Sequence, residues 1–280
     1  MKKKRRNNFF SHLFLLVGAF IMIFPLLWLL SSAFKNNNEI FSADFSFIPK
    51  TITLKNFKNG WYINPQYTFG HFLGNTLFLV GSMAIGNIIS CSLTAFAITR
   101  MNFPLKRVVF RLVMLTLMVP SQVLLIPTYL IFSKFRWLDT FLPFIVPAFL
   151  STQSFFVYQL IQYMRGIPKE LDDSAKIDGC SYFRLYLNIT LPLTKPALIS
   201  VAIFSFVWTW NDFLTQLIYL NSVRNYTVSL ILSSVVDSTS LTNWGALMAL
   251  TLISVLPCII IYFSAQRYFV EGITTSGLKG

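Results

Sequence analysis

Apolar residues in this chain fall in long runs separated by short polar stretches, and six of the runs reach membrane-spanning length: residues 12–34, 72–99, 108–133, 138–164, 197–220 and 242–266. Each meets or exceeds the ~20 residues that a helix needs to cross a hydrocarbon core of ~30 Å. The pattern predicts an all-α integral membrane protein with three parts. A basic N-terminus covers residues 1–11, a six-helix domain residues 12–266, and a C-terminal tail residues 267–280. Pro120, Pro127, Pro143, Pro147 and Pro257 lie inside the runs. They predict kinks or breaks, which membrane bundles tolerate where neighbours re-satisfy the backbone, often beside a cavity.

Composition agrees with the pattern. The 280 residues are 55% hydrophobic and only 12% charged, with a mean hydropathy of +0.62. That charge is about half the globular norm of roughly 25%, too little to solvate a soluble domain of this size. The net charge of +13 raises the question of nucleic acid, but the basic residues cluster at the ends of apolar runs and not along one polar face. Their distribution instead sets a topology. With the N-terminus inside, 16 of the 23 Lys and Arg residues fall on the inner side and 7 on the outer. This bias predicts two cytoplasmic termini and places residues 168–196 in the cytoplasm. The first run follows Lys2-Lys3-Lys4-Arg5-Arg6 and ends near Ser31-Ser32-Ala33, so a cleaved signal peptide is one alternative. The run is well over the ~7–15 residues of a signal core, and an uncleaved first helix is expected. The longest outer stretch, residues 35–71, is partly apolar at Phe47-Ile48-Pro49 and Trp61-Tyr62 and is expected to pack on the membrane surface or on a partner.

Little in the chain suggests chemistry of its own. Cys91, Cys180 and Cys258 lack metal-ligand spacing, and His12 and His71 have no acid, thiol or second histidine at such spacing, so no metal site is expected. There is no Gly-rich phosphate loop and no GxxxxGK[ST], so the chain is not expected to hydrolyse ATP.

Residues 168–196, PKELDDSAKIDGCSYFRLYLNITLPLTKP, form a charged, helix-forming stretch between two spans. Pro168 suits a first helical turn, with Glu170, Asp172 and Asp173 near the positive end of the helix dipole. The helix is expected to run to about Asp178, with Gly179 taking the left-handed conformation that ends it. Ser181 is placed to cap a second short helix from Tyr182 to Leu191, closed by Pro192. The result is a bent, rigid knob with Tyr182, Phe183, Leu185 and Tyr186 as anchors and Lys176 and Arg184 as a charged rim. On physical grounds alone, a knob that docks a partner and a helix pair that only covers the inner membrane face are both open.

Asp173-Ser174-Ala175, then Asp178-Gly179, then Leu191-Pro192 resemble the EAA loop of ABC importer permeases, with Asp173 for Glu and Ser174 for the first Ala. The resemblance covers nearly the whole chain. Phe34-Lys35 to Ile40-Phe41, Phe47-Ile48-Pro49-Lys50, Asn75-Thr76-Leu77, Trp210-Asn211-Asp212-Phe213-Leu214, Tyr226-Thr227-Val228 and Asn243-Trp244-Gly245 follow in the order of sugar-uptake permeases. The ending, Gln266-Arg267-Tyr268-Phe269-Val270-Glu271-Gly272 through Gly277-Leu278-Lys279-Gly280, is similar to that of the maltose-type subunit. The chain is thus similar to binding-protein-dependent permeases of the carbohydrate-uptake branch. This implies a type I importer permease: six transmembrane helices and a cytoplasmic coupling loop.

The resemblance also implies partners and roles. A second permease subunit, two ATPase subunits that hold ATP and Mg2+, and an extracytoplasmic sugar-binding protein are expected, with no cofactor on this chain. Asp173, Ser174, Ala175, Asp178, Gly179, Tyr182 and Phe183 would couple to the ATPase, and Gly277, Leu278, Lys279 and Gly280 would reach into the ATPase dimer. Trp210, Asn211 and Asp212 suit a polyol, through hydrogen bonds to hydroxyls and a flat indole face. Asp212 is alternatively placed to pair with Arg224 or Arg136 as an outer gate, since a charge within a span is costly unless paired or wet. Gln122 and Gln153 could line the same polar path. A secondary transporter is the rival reading, but it needs several buried ionisable groups and here Asp212 is nearly alone. A membrane scaffold is a third.

Overall fold

The computed structural model describes the backbone of residues 2–42, 46–236 and 243–277, and the side chains of residues 9–264 within those ranges. All regular structure in these residues is helical. Four helices are each long and apolar enough to cross a bilayer: Phe9–Ala33, Phe69–Arg100, Leu142–Arg165 and Trp244–Ser264. Two bent pairs bring the number to six if each pair counts as one span.

Three of the six spans differ from the straight rods that the apolar runs predict. The third divides into Lys106–Met118 and Ser121–Lys134, which diverge by 107°. Pro120 causes the break: its ring drives the preceding residue out of the helical region, and Val119 is extended at φ −85°, ψ 120°. The fourth divides into Leu142–Phe149 and Ser154–Arg165 around Ser151, which is left-handed at φ 58°. The fifth helix, Lys195–Asn211, stops at an extended Asp212, and a separate short helix, Leu214–Tyr219, follows. The last helix runs unbroken through Pro257 from Trp244 to Gly277, so helix continues past the expected tail boundary at residue 267. The expected start of that span, Thr242, lies outside the described residues.

By internal packing the chain divides into two units, Met1–His71 with Ile231–Pro257 and Phe72–Leu230 with Cys258–Gly280. In the first, buried Asn56 donates from its amide to the carbonyls of Ala33 (2.9 Å) and Lys35 (2.7 Å), capping the end of the first helix. Gly245 makes room for this amide, because a Cβ there would lie 2.5 Å from Asn56 Oδ1. Lys35 is fully buried, with its ammonium on the Ser46 carbonyl and 4.4 Å above the Trp28 ring. The stretch that follows folds back on the first span: the Ser31 hydroxyl donates to the Phe47 carbonyl, and the Phe47 ring lies 6.2 Å from that of Phe24.

The second unit holds two apolar cores. One gathers Phe96, Phe156, Leu160, Ile161, Met164 and Val201 with Leu185 and Tyr186 of the charged segment. The other gathers Leu79, Phe144, Tyr219, Leu220 and Leu230. Beside the latter, the Asp139 carboxylate accepts from the amides of Asn221 (2.9 Å) and Ser222 (2.8 Å), and Asn75 donates to the carbonyls of Arg224 (2.8 Å) and Tyr226 (2.9 Å).

Candidate functional site

The charged segment forms a two-armed knob. Its first arm is the helix Glu170–Ile177, so Pro168 stands just outside the first turn and not within it. Glu170, Asp172 and Asp173 occupy that first turn, where the helix dipole favours negative charge. The arm ends in a Schellman motif: the Cys180 amide donates to the Ala175 carbonyl (2.9 Å) and the Gly179 amide to the Lys176 carbonyl (3.0 Å). Gly179 has φ +73°, the left-handed conformation that this motif requires and that glycine adopts without strain.

Ser181 caps the second arm, its side chain accepting from the Arg184 amide at 3.4 Å. This arm is not closed by Pro192. It runs as an α-turn over Tyr182–Leu185 and a π-helix over Tyr186–Thr190, passes Pro192 in Leu191–Leu193, and bends by 76° into the span helix Lys195–Asn211. A proline cannot donate to the helical ladder, and the wider π turn directly precedes the missing donor.

The two faces of the knob differ. Ala175, Leu185 and Tyr186 turn inward to the apolar core. Leu185 and Tyr186 are thereby corrected from outward anchors to internal ones. Tyr186 places its hydroxyl 2.7 Å from that of Ser92 and its ring 5.3 Å from Phe96. Tyr182, Phe183 and Ile177 face outward, with Phe183 67% and Ile177 87% exposed. Asp173, Ser174, Asp178 and Gly179 share this exposure. Asp173 holds Lys176 at 3.1 Å across one turn, and the Ser174 hydroxyl bonds its own helix at the Glu170 carbonyl (2.9 Å).

One residue pair of the knob escapes the sequence reading. Asp172 is buried and paired with Arg100 at 3.0 Å, with side-chain exposures of 8% and 3%. The same guanidinium donates to the carbonyls of Met164 (3.1 Å), in the last turn of Ser154–Arg165, and of Ile167 (2.9 Å), just beyond it. A signal was present: Asp172 stands three residues before Ala175 and so shares its inward face. A carboxylate on a buried face calls for a cation, and Arg100 is the cation that ends the second span.

The residues proposed for a polar path each sit at a helix break. Gln122 follows the Pro120 break and is exposed, and Gln153 stands at the N-cap position of Ser154–Arg165 without a side-chain cap. Asp212 ends Lys195–Asn211 and accepts from the Thr215 amide at 3.1 Å, capping the next helix. Trp210 is buried with its ring stacked on Phe206 at 5.2 Å, so its face is already covered, while Asn211 is exposed and bonds the Val207 carbonyl. The residue that organises this break is one the sequence did not single out, Gln216. It is fully buried, donates to the Thr209 carbonyl (2.9 Å) and accepts from the Thr227 and Ser229 hydroxyls. Of the proposed tail contacts, Gly277 ends the last helix, and Leu278, Lys279 and Gly280 lie outside the described residues.

Comparison with known proteins places this geometry in context. Residues 86–275 match the family described as "Binding-protein-dependent transport system inner membrane component". The arabinooligosaccharides transport system permease protein AraQ of Halalkalibacterium halodurans is 30% identical over 264 residues, 94% of this chain and 93% of that protein. The sn-glycerol-3-phosphate transport system permease protein UgpE of Escherichia coli is 31% identical over 272 residues, 95% of this chain and 96% of that protein. A chain in the crystal structure of a bacterial ABC transporter involved in the import of the acidic polysaccharide alginate has the same fold. It aligns with a TM-score of 0.86 at 17% identity, over 96% of this chain and 98% of that one.

Proposed function

Because the chain belongs to the family of binding-protein-dependent transport system inner membrane components, we propose that it is the permease subunit of an ABC importer that carries a sugar or oligosaccharide across the plasma membrane. ATP hydrolysis on partner subunits drives the cycle. The observation that carries the reading is the knob: two short helices locked by a Schellman turn, internal on one face and presenting Ile177, Tyr182 and Phe183 on the other. Asp173, Ser174, Asp178 and Gly179 border this face and meet the ATPase, while Ala175 lets the knob pack closely on its own spans. ATP and Mg2+ reside on the two ATPase subunits, and this chain holds no cofactor.

A second permease subunit completes the pathway, and an extracytoplasmic binding protein delivers the sugar. The relative that transports arabinooligosaccharides supports this substrate class, and the glycerol-3-phosphate permease widens it to other polyols. The charge bias supports an orientation with both termini in the cytoplasm. Nucleotide and loaded binding protein then bias one two-state equilibrium between inward- and outward-facing spans.

The test is sugar-dependent ATPase activity of the reconstituted complex, read beside uptake. Uptake that needs ATP and survives a protonophore is expected, and uptake that collapses with the proton gradient sinks the reading in favour of a secondary transporter. Gly179→Pro removes both the amide donor and the positive φ. Insertion into the membrane is expected to persist while ATP-driven uptake is lost.

A further inference from the structure

The knob is fastened to a span that neither arm adjoins in sequence. The chain enters it from Ser154–Arg165 and leaves it into Lys195–Asn211, so force carried by the backbone reaches those two helices. The side chains make a third path. Asp172 of the first arm is held by Arg100 at 3.0 Å. Tyr186 of the second arm meets the Ser92 hydroxyl at 2.7 Å and the Phe96 ring at 5.3 Å. Ser92, Phe96 and Arg100 are spaced four residues apart on the helix Phe69–Arg100, so both arms grip one stripe along its last turns.

We propose that the helix Phe69–Arg100 receives the knob's movement and that Arg100 is the positioning residue that joins the two, a proposal that rests on the reading of residues 168–196 as the ATPase-docking knob. Two attachment points on one stripe prevent the helix from swivelling beneath the knob. Arg100 suits the joint because its planar fork holds several acceptors in fixed directions at once, which a lysine ammonium does not. Here those acceptors are Asp172 and the carbonyls of Met164 and Ile167. A displaced first arm therefore carries with it the end of the second span and the turn beyond the fourth. Burial of the pair keeps water from substituting for either partner.

The test reads movement and needs no knowledge of the sugar. In the full complex with its ATPase subunits and second permease, spin labels are placed at Phe183 on the knob and at Leu77, an exposed position near the far end of the helix. Distances from each to a reference label on the second permease are measured with and without Mg-ATP. In the wild-type background both labels are expected to move.

The variant Arg100→Met with Asp172→Leu replaces the buried pair by apolar side chains, a change that often preserves stability. It is expected to keep the Phe183 response and to reduce the Leu77 response roughly tenfold, the scale on which coupling residues act. Arg100→Lys, which keeps the charge, is expected to fall between. A merely structural role for the pair would alter how much complex assembles, but not the ratio of the two responses within assembled complexes. An unchanged ratio in both variants overturns the proposal. Failure of the Phe183 label to respond in the wild-type complex overturns the docking reading on which it stands.

Discussion

The hydroxyls of Ser92 and Tyr186 meet at 2.7 Å inside the second unit, one from a spanning helix and the other from the second arm of the knob. Ser92 also reaches the Ile89 carbonyl at 3.1 Å, so it retains a partner if Tyr186 loses its oxygen. Tyr186→Phe is therefore expected to cost only about 0.5–1.5 kcal/mol. Tyr186→Ala, which also empties the space beside Phe96, is expected to cost about 3–5 kcal/mol, by analogy with other large aromatic truncations. Thermal unfolding of the purified complex in detergent separates the two, and equal losses would show that the ring contributes nothing beyond its hydroxyl.

Phe183 is the opposite case, an aromatic ring 67% exposed on the outward face. Phe183→Ser is expected to leave stability within about 0.5 kcal/mol, as for surface positions generally. If the ring anchors the ATPase, retention of that subunit on affinity purification should fall roughly tenfold, or about 1.4 kcal/mol. Unchanged retention would move the anchor to Ile177 or Tyr182.

Gln216 holds the fifth-span break together. Gln216→Leu keeps the side-chain bulk but removes one of two donors to the Thr209 carbonyl, which keeps the Asp212 amide, and the acceptor shared by the Thr227 and Ser229 hydroxyls, which keep each other at 3.1 Å. Because these groups keep other partners, a destabilisation of about 0.5–1.5 kcal/mol per hydrogen bond lost is expected. The measurement is thermal unfolding of the complex, and a variant that melts with the wild type would show that the break is held by packing alone.

Asp139 predicts a pH dependence. Burial pushes its carboxyl up, but the Ser222 hydroxyl and amide and the donors of Asn221 and Asn225 together hold it below the ordinary value of 3.8. The charged form is the one the fold favours, so its contribution is fully present above pH 3.8 and is lost as pH falls through the lower folded value. Asp139→Asn should melt below the wild type at neutral pH, and the gap should close on acidification. A gap that stays constant with pH would mean that the amide donors, not the charge, set the loop.

The spans could be read from the sequence because apolar length alone sets them, and Pro120 announced a break. Its amplitude could not be read, since proline removes a donor and a conformation but does not choose the new direction. In the knob, Gly179 and Ser181 were legible because their chemistry is local: one positive φ and one capping oxygen. The inward turn of Leu185 and Tyr186 was not, because it depends on how the arm is rotated against Phe96 and Ser92, which are remote in sequence. For Asp172 the spacing from Ala175 hinted at a shared face, but only the fold shows that face to be inward and brings Arg100 to it. At Asp212 the intramembrane charge drew attention to the right place, but the organising side chain is the neutral Gln216 one turn further on.

The Pro120 bend has a consequence for the surrounding lipid. Its two limbs, Lys106–Met118 and Ser121–Lys134, have 13 and 14 residues, each about 20 Å long at ~1.5 Å per residue. Turned 107° from one another, limbs of that length bring the far ends within about 24 Å, short of a hydrocarbon core of ~30 Å. End to end this segment is shorter than a straight span, and acyl chains beside it must shorten or tilt to meet it. The thickness of the host bilayer thereby becomes a variable of this protein's own energetics.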